Sequence, residues 1–168
     1  MFSPGELIVC GRNGVCRVEK EERVEGQPYY CLQQLYRNCI IKVPVNGTIP
    51  MRPVLTRREA EALIDSIPAA DVKPAAPLPQ RELKNLYLAS LNNCGPGELL
   101  AMTMSVYAKT RQAAKAGRRP VSTDGYFLRE AVSLLYGELA VSLGIGPGEV
   151  PGYVEARLGA KEAAKLPG

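Results

Sequence analysis

The spacing of apolar residues changes once along this chain, and that change favours a β part followed by an α part. Short runs rich in Val, Ile, Leu, Tyr and Cys occupy residues 6–10, 15–20, 29–36 and 39–45, and turn-forming residues separate them at 11–14, 25–28 and 37–38. This pattern predicts four strands joined by short turns. Strands this short suit a small, strongly curved sheet or barrel.

After residue 54 the apolar spacing becomes helical. Thr56 followed by Glu59 resembles a capping box, and apolar residues three or four apart then predict a short helix that ends at Pro68. Residues 68–79 contain four prolines and several alanines. Because proline fixes φ and donates no hydrogen bond, this composition is typical of an extended, semi-rigid linker.

The rest of the chain is helical in pattern. Apolar residues predict a helix before the turn at residues 95–97, a second helix after it, a third from Ser122 to Leu143 and a last one over about 149–158. Four helices in this length make a compact bundle. We therefore predict an α+β protein with a β module over 1–54, a short helix and Pro-rich linker over 55–79, an all-helical bundle over 80–158, and a flexible tail over 159–168.

Charge is distributed unevenly although the net charge is only +4. No acidic residue occurs between Glu98 and Asp124, and the basic residues inside that gap are Lys109, Arg111, Lys115, Arg118 and Arg119. With Arg81 and Lys84 at the start of the same module, this patch favours binding to DNA phosphates. The same cations could instead form the solvated end of a helix, where positive charge favours the helix dipole. The absence of a helix-turn-helix pattern implies contacts that are largely independent of DNA sequence.

The sequence lacks the residues that common catalytic, metal-binding and phosphate-binding sites require. The chain has no histidine, which removes the commonest general base and the commonest nitrogen ligand for metals. Phosphate-binding glycine motifs are also missing. Cys94 beside Gly95 is a candidate nucleophile, but no histidine could activate it. We therefore predict no catalytic residue, no cofactor and no small-molecule substrate.

The cysteines allow two interpretations. Cys10, Cys16, Cys31 and Cys39 all fall in the β module, which raises the possibility of a zinc site, but their gaps do not match the close pairs of zinc-binding motifs. We favour small, buried apolar residues without a metal. An odd count of five cysteines, no signal-like opening segment and no apolar run of about 20 residues predict reduced thiols, a cytoplasmic location and no membrane contact.

Several segments resemble the CarD and CdnL family of bacterial transcription regulators, in the same order along about 150 residues. These segments are the opening Phe2 to Val9 with Gly14, Val15 and Val18, the run Tyr29 to Leu35, the run Ile40 to Val45, the run Met51 to Val54, and the late Leu134 to Ala140. The chain departs from the family in its first turn, and it lacks the tryptophan that many members carry at the head of the helical domain. Leu78 and Leu83 lie near that place, and we expect both to be core residues.

The resemblance implies a Tudor-like or SH3-like β-barrel that docks on the β subunit of RNA polymerase. It also implies a helical domain that contacts promoter DNA and stabilises the open complex. By position it implies polymerase contacts for Lys42 and for Arg23, and we expect Arg52, at the exit of the same module, to contact the partner as well. Lys42 and Arg23 could equally be solvent-facing charges on strands. The alternative hypothesis is a protein-interaction adaptor that has no direct contact with DNA.

Overall fold

The protein has an antiparallel sheet followed by helices. The computed structural model describes residues 1–93 and 95–168. The strands are β1 (Leu7–Cys10), β2 (Val15–Val24), β3 (Gln27–Gln34), β4 (Ile40–Pro44) and β5 (Met51–Pro53), in the spatial order β4-β3-β2-β1-β5. All neighbouring strands are antiparallel. The α+β prediction is confirmed, and within residues 1–54 the sheet is open, with β4 and β5 at its edges.

The predicted strands are present, but β2 continues four residues beyond its predicted end, and β3 begins and ends two residues earlier than predicted. The expected turn over 25–28 contracts to two residues, Glu25 (φ 50°) and Gly26 (φ 83°), both in the left-handed region. Two such residues make a tight hairpin whose twist matches that of the flanking strands, so the ladder continues almost to the tip. The segment containing Pro50 and Pro53 adds the short strand β5, at an edge where a missing N–H costs least.

One face of the sheet forms the core of the β module. Its fully buried members are Ile8, Cys10, Cys16, Val18, Tyr30, Leu32 and Val43. Cys10 and Cys16 belong to this core, which confirms their interpretation as small buried apolar residues. Cys31 is also buried but lies between Lys20 and Lys42 in the sheet, whereas Cys39 is exposed. The difference arises because Cys39 lies just before β4, in the bend that follows β3.

The helices agree closely with the periodicity. They are α1 (Arg57–Asp65), α2 (Gln80–Asn93), α3 (Pro96–Lys115), α4 (Ser122–Leu143), α5 (Val150–Leu158) and α6 (Ala160–Ala163). The predicted capping box starts α1, because Glu59 N–H donates to the Thr56 hydroxyl while the Glu59 carboxylate accepts from Thr56 N–H. No single helix in the described ranges is long and apolar enough to cross a membrane. α4 and residues 147–158 reach that length only as a pair bent by 93°.

Residues 55–79 pack on the helical bundle. Ala60 and Ile64 of α1 are buried in the same core as α2, α3 and α4, and Val72 and Ala75 pack against it. The backbone N–H of Ala75 donates to the carbonyl of Ser105 at 3.0 Å. The proline-rich segment is therefore extended, as its composition favours, and it lies against α3.

The last ten residues differ from the flexible tail that the sequence suggested. They contain α6, and Leu166 is only 5% exposed within the helical core. The Lys165 ammonium donates to the carbonyls of Pro68 and Ala69, and the Tyr136 hydroxyl donates to the carbonyl of Pro167. Burial of Leu166 and these polar contacts hold the end of the chain in place. Such isolated contacts leave no periodic pattern in the sequence, so they could not be predicted.

The β module contacts α4 directly. The Tyr36 hydroxyl donates to the carbonyl of Gly137 at 3.1 Å, and a Cβ at Gly137 would lie 3.1 Å from the Tyr36 ring. A glycine at this position therefore permits the close approach of the two modules. Nearby, Arg52 of β5 pairs with Glu138 of α4. The contact is built by residues far apart in sequence.

Candidate functional site

Exposed cations cluster around the loop that joins α3 to α4. Lys115 ends α3, Arg118 and Arg119 follow it in the loop, and Arg81 and Lys84 lie one turn apart on α2; all five side chains are exposed. Within residues 1–93 and 95–168 none of the five forms an ion pair with a carboxylate. Their charge is therefore available to a polyanion.

Two open grooves are lined by three of these cations, Lys115, Arg118 and Arg119. We call the first the linker groove. It has a volume of about 530 Å³ between the extended segment 75–80 and the loop residues 118–121, and Gln80, Arg118 and Arg119 line it. A second groove, of about 310 Å³, is lined by Arg111, Lys115 and also Asp71. Because Gln112 lines both grooves, the grooves are adjacent, and the cations that line them, Arg111, Lys115, Arg118 and Arg119, form a basic surface around the end of α3.

Arg111 lies on this surface but also holds the end of the chain. Its guanidinium donates to the carbonyl of Ala164 at 2.8 Å and lies 5.7 Å from the ring centroid of Tyr107. An arginine over an aromatic face is held in one orientation by a cation–π contact. Arg111 is therefore the most constrained of the exposed cations predicted to bind DNA.

Lys109 has a different environment from its basic neighbours. Its ammonium lies 3.0 Å from Oδ2 and 3.3 Å from Oδ1 of Asp124, and its side chain is only 18% exposed. Asp124 is 1% exposed and also accepts a 2.5 Å hydrogen bond from the Tyr87 hydroxyl. Burial, and then the hydrogen bond to Asp124, raise the pKa of Tyr87 well above its ordinary value, so the hydroxyl remains a donor. Lys109 thus belongs to a buried polar cluster that joins α2, α3 and α4.

Asp124 could have been noticed from the sequence. Phe127, Ala131 and Leu135 follow it at successive spacings of three, four and four residues, and these three residues form the buried stripe of α4. An acidic residue at a core position of such a stripe needs a buried partner, because burial of an unpaired charge is costly. The sequence does not identify that partner, since Lys109 and Tyr87 lie on other helices.

The residues expected to contact a protein partner are dispersed over the β module. Lys42 of β4 is exposed and pairs with Glu22 at 2.5 Å, and Lys20 lies 2.8 Å from the other oxygen of that carboxylate. Hydrogen bonds from Lys20, and then from Lys42, lower the pKa of Glu22 to about 2. Arg23 is exposed near the β2–β3 hairpin tip. Sequence reasoning missed Glu22, which holds the two ammonium groups together.

Arg52 forms an ion pair within the protein, with Glu138 of α4. Its two terminal nitrogens donate to the two oxygens of Glu138 at 2.6 and 2.7 Å. The Glu138 side chain is 6% exposed, and it also accepts a bond from the backbone N–H of Leu55 at 3.1 Å. The structure therefore places Arg52 at the junction of the two modules, away from Lys42 and Arg23.

The thiols have no catalytic or metal-binding arrangement in the part of the chain that the structure describes. No group of three or more Cys, Asp or Glu side chains there lies close enough to hold a metal ion. Burial, and then the neighbouring Cys10, raise the pKa of Cys16 to about 12, which keeps it protonated and unreactive at neutral pH. Cys94, the candidate nucleophile, lies outside the described residues.

The chain matches no protein-family model, and no curated protein matches it by sequence.

Proposed function

We propose that this protein is a non-enzymatic regulator of transcription. In this proposal the helical module binds promoter DNA, the β module binds the β subunit of RNA polymerase, and together they stabilise the open complex. The observation that carries the proposal is the group of exposed cations Lys115, Arg118 and Arg119, which line two adjacent grooves and form no ion pair among the described residues. The ordered resemblance to CarD and CdnL regulators adds the polymerase and the open complex to that observation.

The geometry of the basic surface suits the DNA backbone. Its cations lie on a loop, on the last turn of α3 and on α2, so no single helix presents them as a recognition helix would. Exposed cations without ion pairs release counterions from DNA when they contact phosphates, and this gives binding without sequence preference. The proposed DNA contacts are Arg81, Lys84, Arg111, Lys115, Arg118 and Arg119, and Lys109 is left out because Asp124 holds it.

We expect the double substitution Arg118→Gln and Arg119→Gln to weaken binding to duplex DNA by about tenfold and to lower the salt slope by about two. Fluorescence anisotropy with a labelled duplex, titrated at several salt concentrations, measures both quantities. The matched control is Arg17→Gln with Arg23→Gln, two exposed arginines on β2, for which no change is expected. An unchanged salt slope in the loop variant would contradict the proposal and favour the adaptor without DNA contact.

The β module supplies the proposed protein contact. Its five-stranded sheet pairs β1 with both β2 and β5, and we propose that it is related to the Tudor-like or SH3-like barrel that the family resemblance implies, with the sheet left open between β4 and β5. Lys42 and Lys20 lie on one face of that sheet and share the carboxylate of Glu22. A pair of ammonium groups held by a single carboxylate keeps a net positive charge, which suits an acidic patch on a partner.

Substitution of Lys42 by Glu is expected to reduce retention of the polymerase β subunit on the immobilised full chain by about tenfold, because it places two carboxylates side by side. A quantitative pull-down measures this effect. Lys161→Glu is the matched control, since it makes the same charge change on exposed α6. If the unchanged protein does not retain the subunit, the proposed partner is wrong.

A further inference from the structure

The linker groove has apolar walls that remain in contact with solvent. Leu78 on the extended segment is 40% exposed, and Val121 in the α3–α4 loop is 43% exposed. Both side chains line the groove, together with Pro77. We expected Leu78 to be a core residue, as Leu83 is, but the extended segment passes over the bundle and leaves Leu78 at the groove wall. A volume of about 530 Å³ lies in the range of small-molecule sites.

The floor of the groove offers a hydrogen-bond donor. Lys109 lines the groove, and Asp124 accepts from its ammonium through two oxygens. A lysine ammonium has three N–H donors. Among the described residues Lys109 has no further acceptor. One donor at the base of the groove is thus open to a ligand, while Asp124 keeps the ammonium in place.

Two arginines add positive charge to the groove. Arg118 and Arg119 line the rim and are exposed. Asp124 is the one carboxylate among the described lining residues, and Lys109 already neutralises it. The groove therefore combines a net positive end with apolar walls, and its occupant must carry a complementary anionic group and an apolar body.

We infer that the linker groove binds a small anionic molecule with an apolar body. Its carboxylate or phosphate group accepts from Lys109 and from the rim arginines, and its apolar body covers Leu78 and Val121. This inference does not depend on the proposed function. Duplex DNA can share the rim arginines, but its hydrated phosphates do not cover the apolar walls. The two binding activities therefore differ in their need for Leu78 and Val121.

Calorimetric titration with decanoate and with decyl phosphate, both below micelle-forming concentrations, tests the inference directly. We expect at least one of them to bind with a Kd of about 1 mM or tighter, and the stronger of the two identifies the preferred head group. Decanol lacks the charge and inorganic phosphate lacks the apolar body, so both are expected to bind at least about tenfold more weakly. If neither amphiphile binds, or if decanol binds equally well, the inference is wrong.

A neutral substitution separates this site from DNA binding. The double substitution Leu78→Ser and Val121→Ser is expected to weaken binding of the amphiphile by about fivefold because it removes apolar contact. Binding of duplex DNA should not change, since no charge changes. The matched control is Leu86→Ser on α2, which is 39% exposed but lies outside the groove. Equal loss of affinity in the Leu86 variant, or no loss in the double variant, would overturn the assignment of the ligand to this groove.

Discussion

Replacement of Asp124 by alanine is expected to lower the free energy of unfolding by about 3 kcal/mol or more. The change leaves the Lys109 ammonium, whose side chain is only 18% exposed, without its carboxylate. It also leaves the buried Tyr87 hydroxyl without its acceptor, which has a separate cost of about 1–3 kcal/mol. Loss of these bonds weakens the packing of α2 and α3 against α4 around position 124. Urea unfolding followed by circular dichroism measures the effect.

Two further variants determine whether the cost comes from the buried charge. Asp65→Ala removes a carboxylate that pairs with Arg157 at 2.7 Å, but the Asp65 side chain is 48% exposed, so a much smaller loss than for Asp124→Ala is expected. The double substitution Asp124→Leu with Lys109→Met removes both charges, and we expect it to be less destabilising than Asp124→Ala alone. If the double variant loses as much free energy of unfolding as the two single variants lose together, Asp124 and Lys109 are not energetically coupled.

Replacement of Glu138 by alanine is expected to lower the free energy of unfolding by about 2 kcal/mol. The substitution removes both bonds to the Arg52 guanidinium and the acceptor of the Leu55 N–H. The expected loss is smaller than for Asp124 because the Arg52 side chain is 35% exposed and can be rehydrated. The same loss should increase hydrogen exchange at the backbone of β5 and at Leu55, where the β module joins the helices.

The control for this prediction lies on the same helix. Glu130 of α4 also pairs with an arginine of the β module, Arg12, but at 3.8 Å and with side chains 36% and 27% exposed. Glu130→Ala is expected to cost less than about 1 kcal/mol and to leave exchange at β5 unchanged. If Glu130→Ala and Glu138→Ala have equal effects on stability, the bidentate contact has no special role at the junction.

Secondary structure could be predicted well from the sequence because its determinants are local. The apolar stripe of α4 and the capping box of α1 each lie within a few residues, and both are present in the structure. The edge position of β5 also follows from local chemistry, since its prolines cannot donate to a central ladder. The end of the chain was less predictable, because Leu166 is buried by residues distant in sequence.

The candidate site was predictable only as a set of cations. The acid-free segment between Glu98 and Asp124, with Arg81 and Lys84, supplied seven candidate cations, and six of them are exposed in the helical module. It could not show that Lys109 is held by Asp124, or that Arg52 is held by Glu138, 86 residues away. The apolar walls of the linker groove were equally hidden, because Leu78 and Val121 come together only when the extended segment crosses the bundle.

The sequence by itself determined the order of most strands and helices and the position of the basic segment, since propensity, capping and periodicity act over a few residues. The tertiary structure alone decided which charges are available to a partner and which are used inside the protein. The physical reason is that an ion pair depends on a distance of about 3–4 Å between two side chains and on their exposure to water. For Arg52 and Lys109, both quantities are set by the packing of α4 against the β module and against α3.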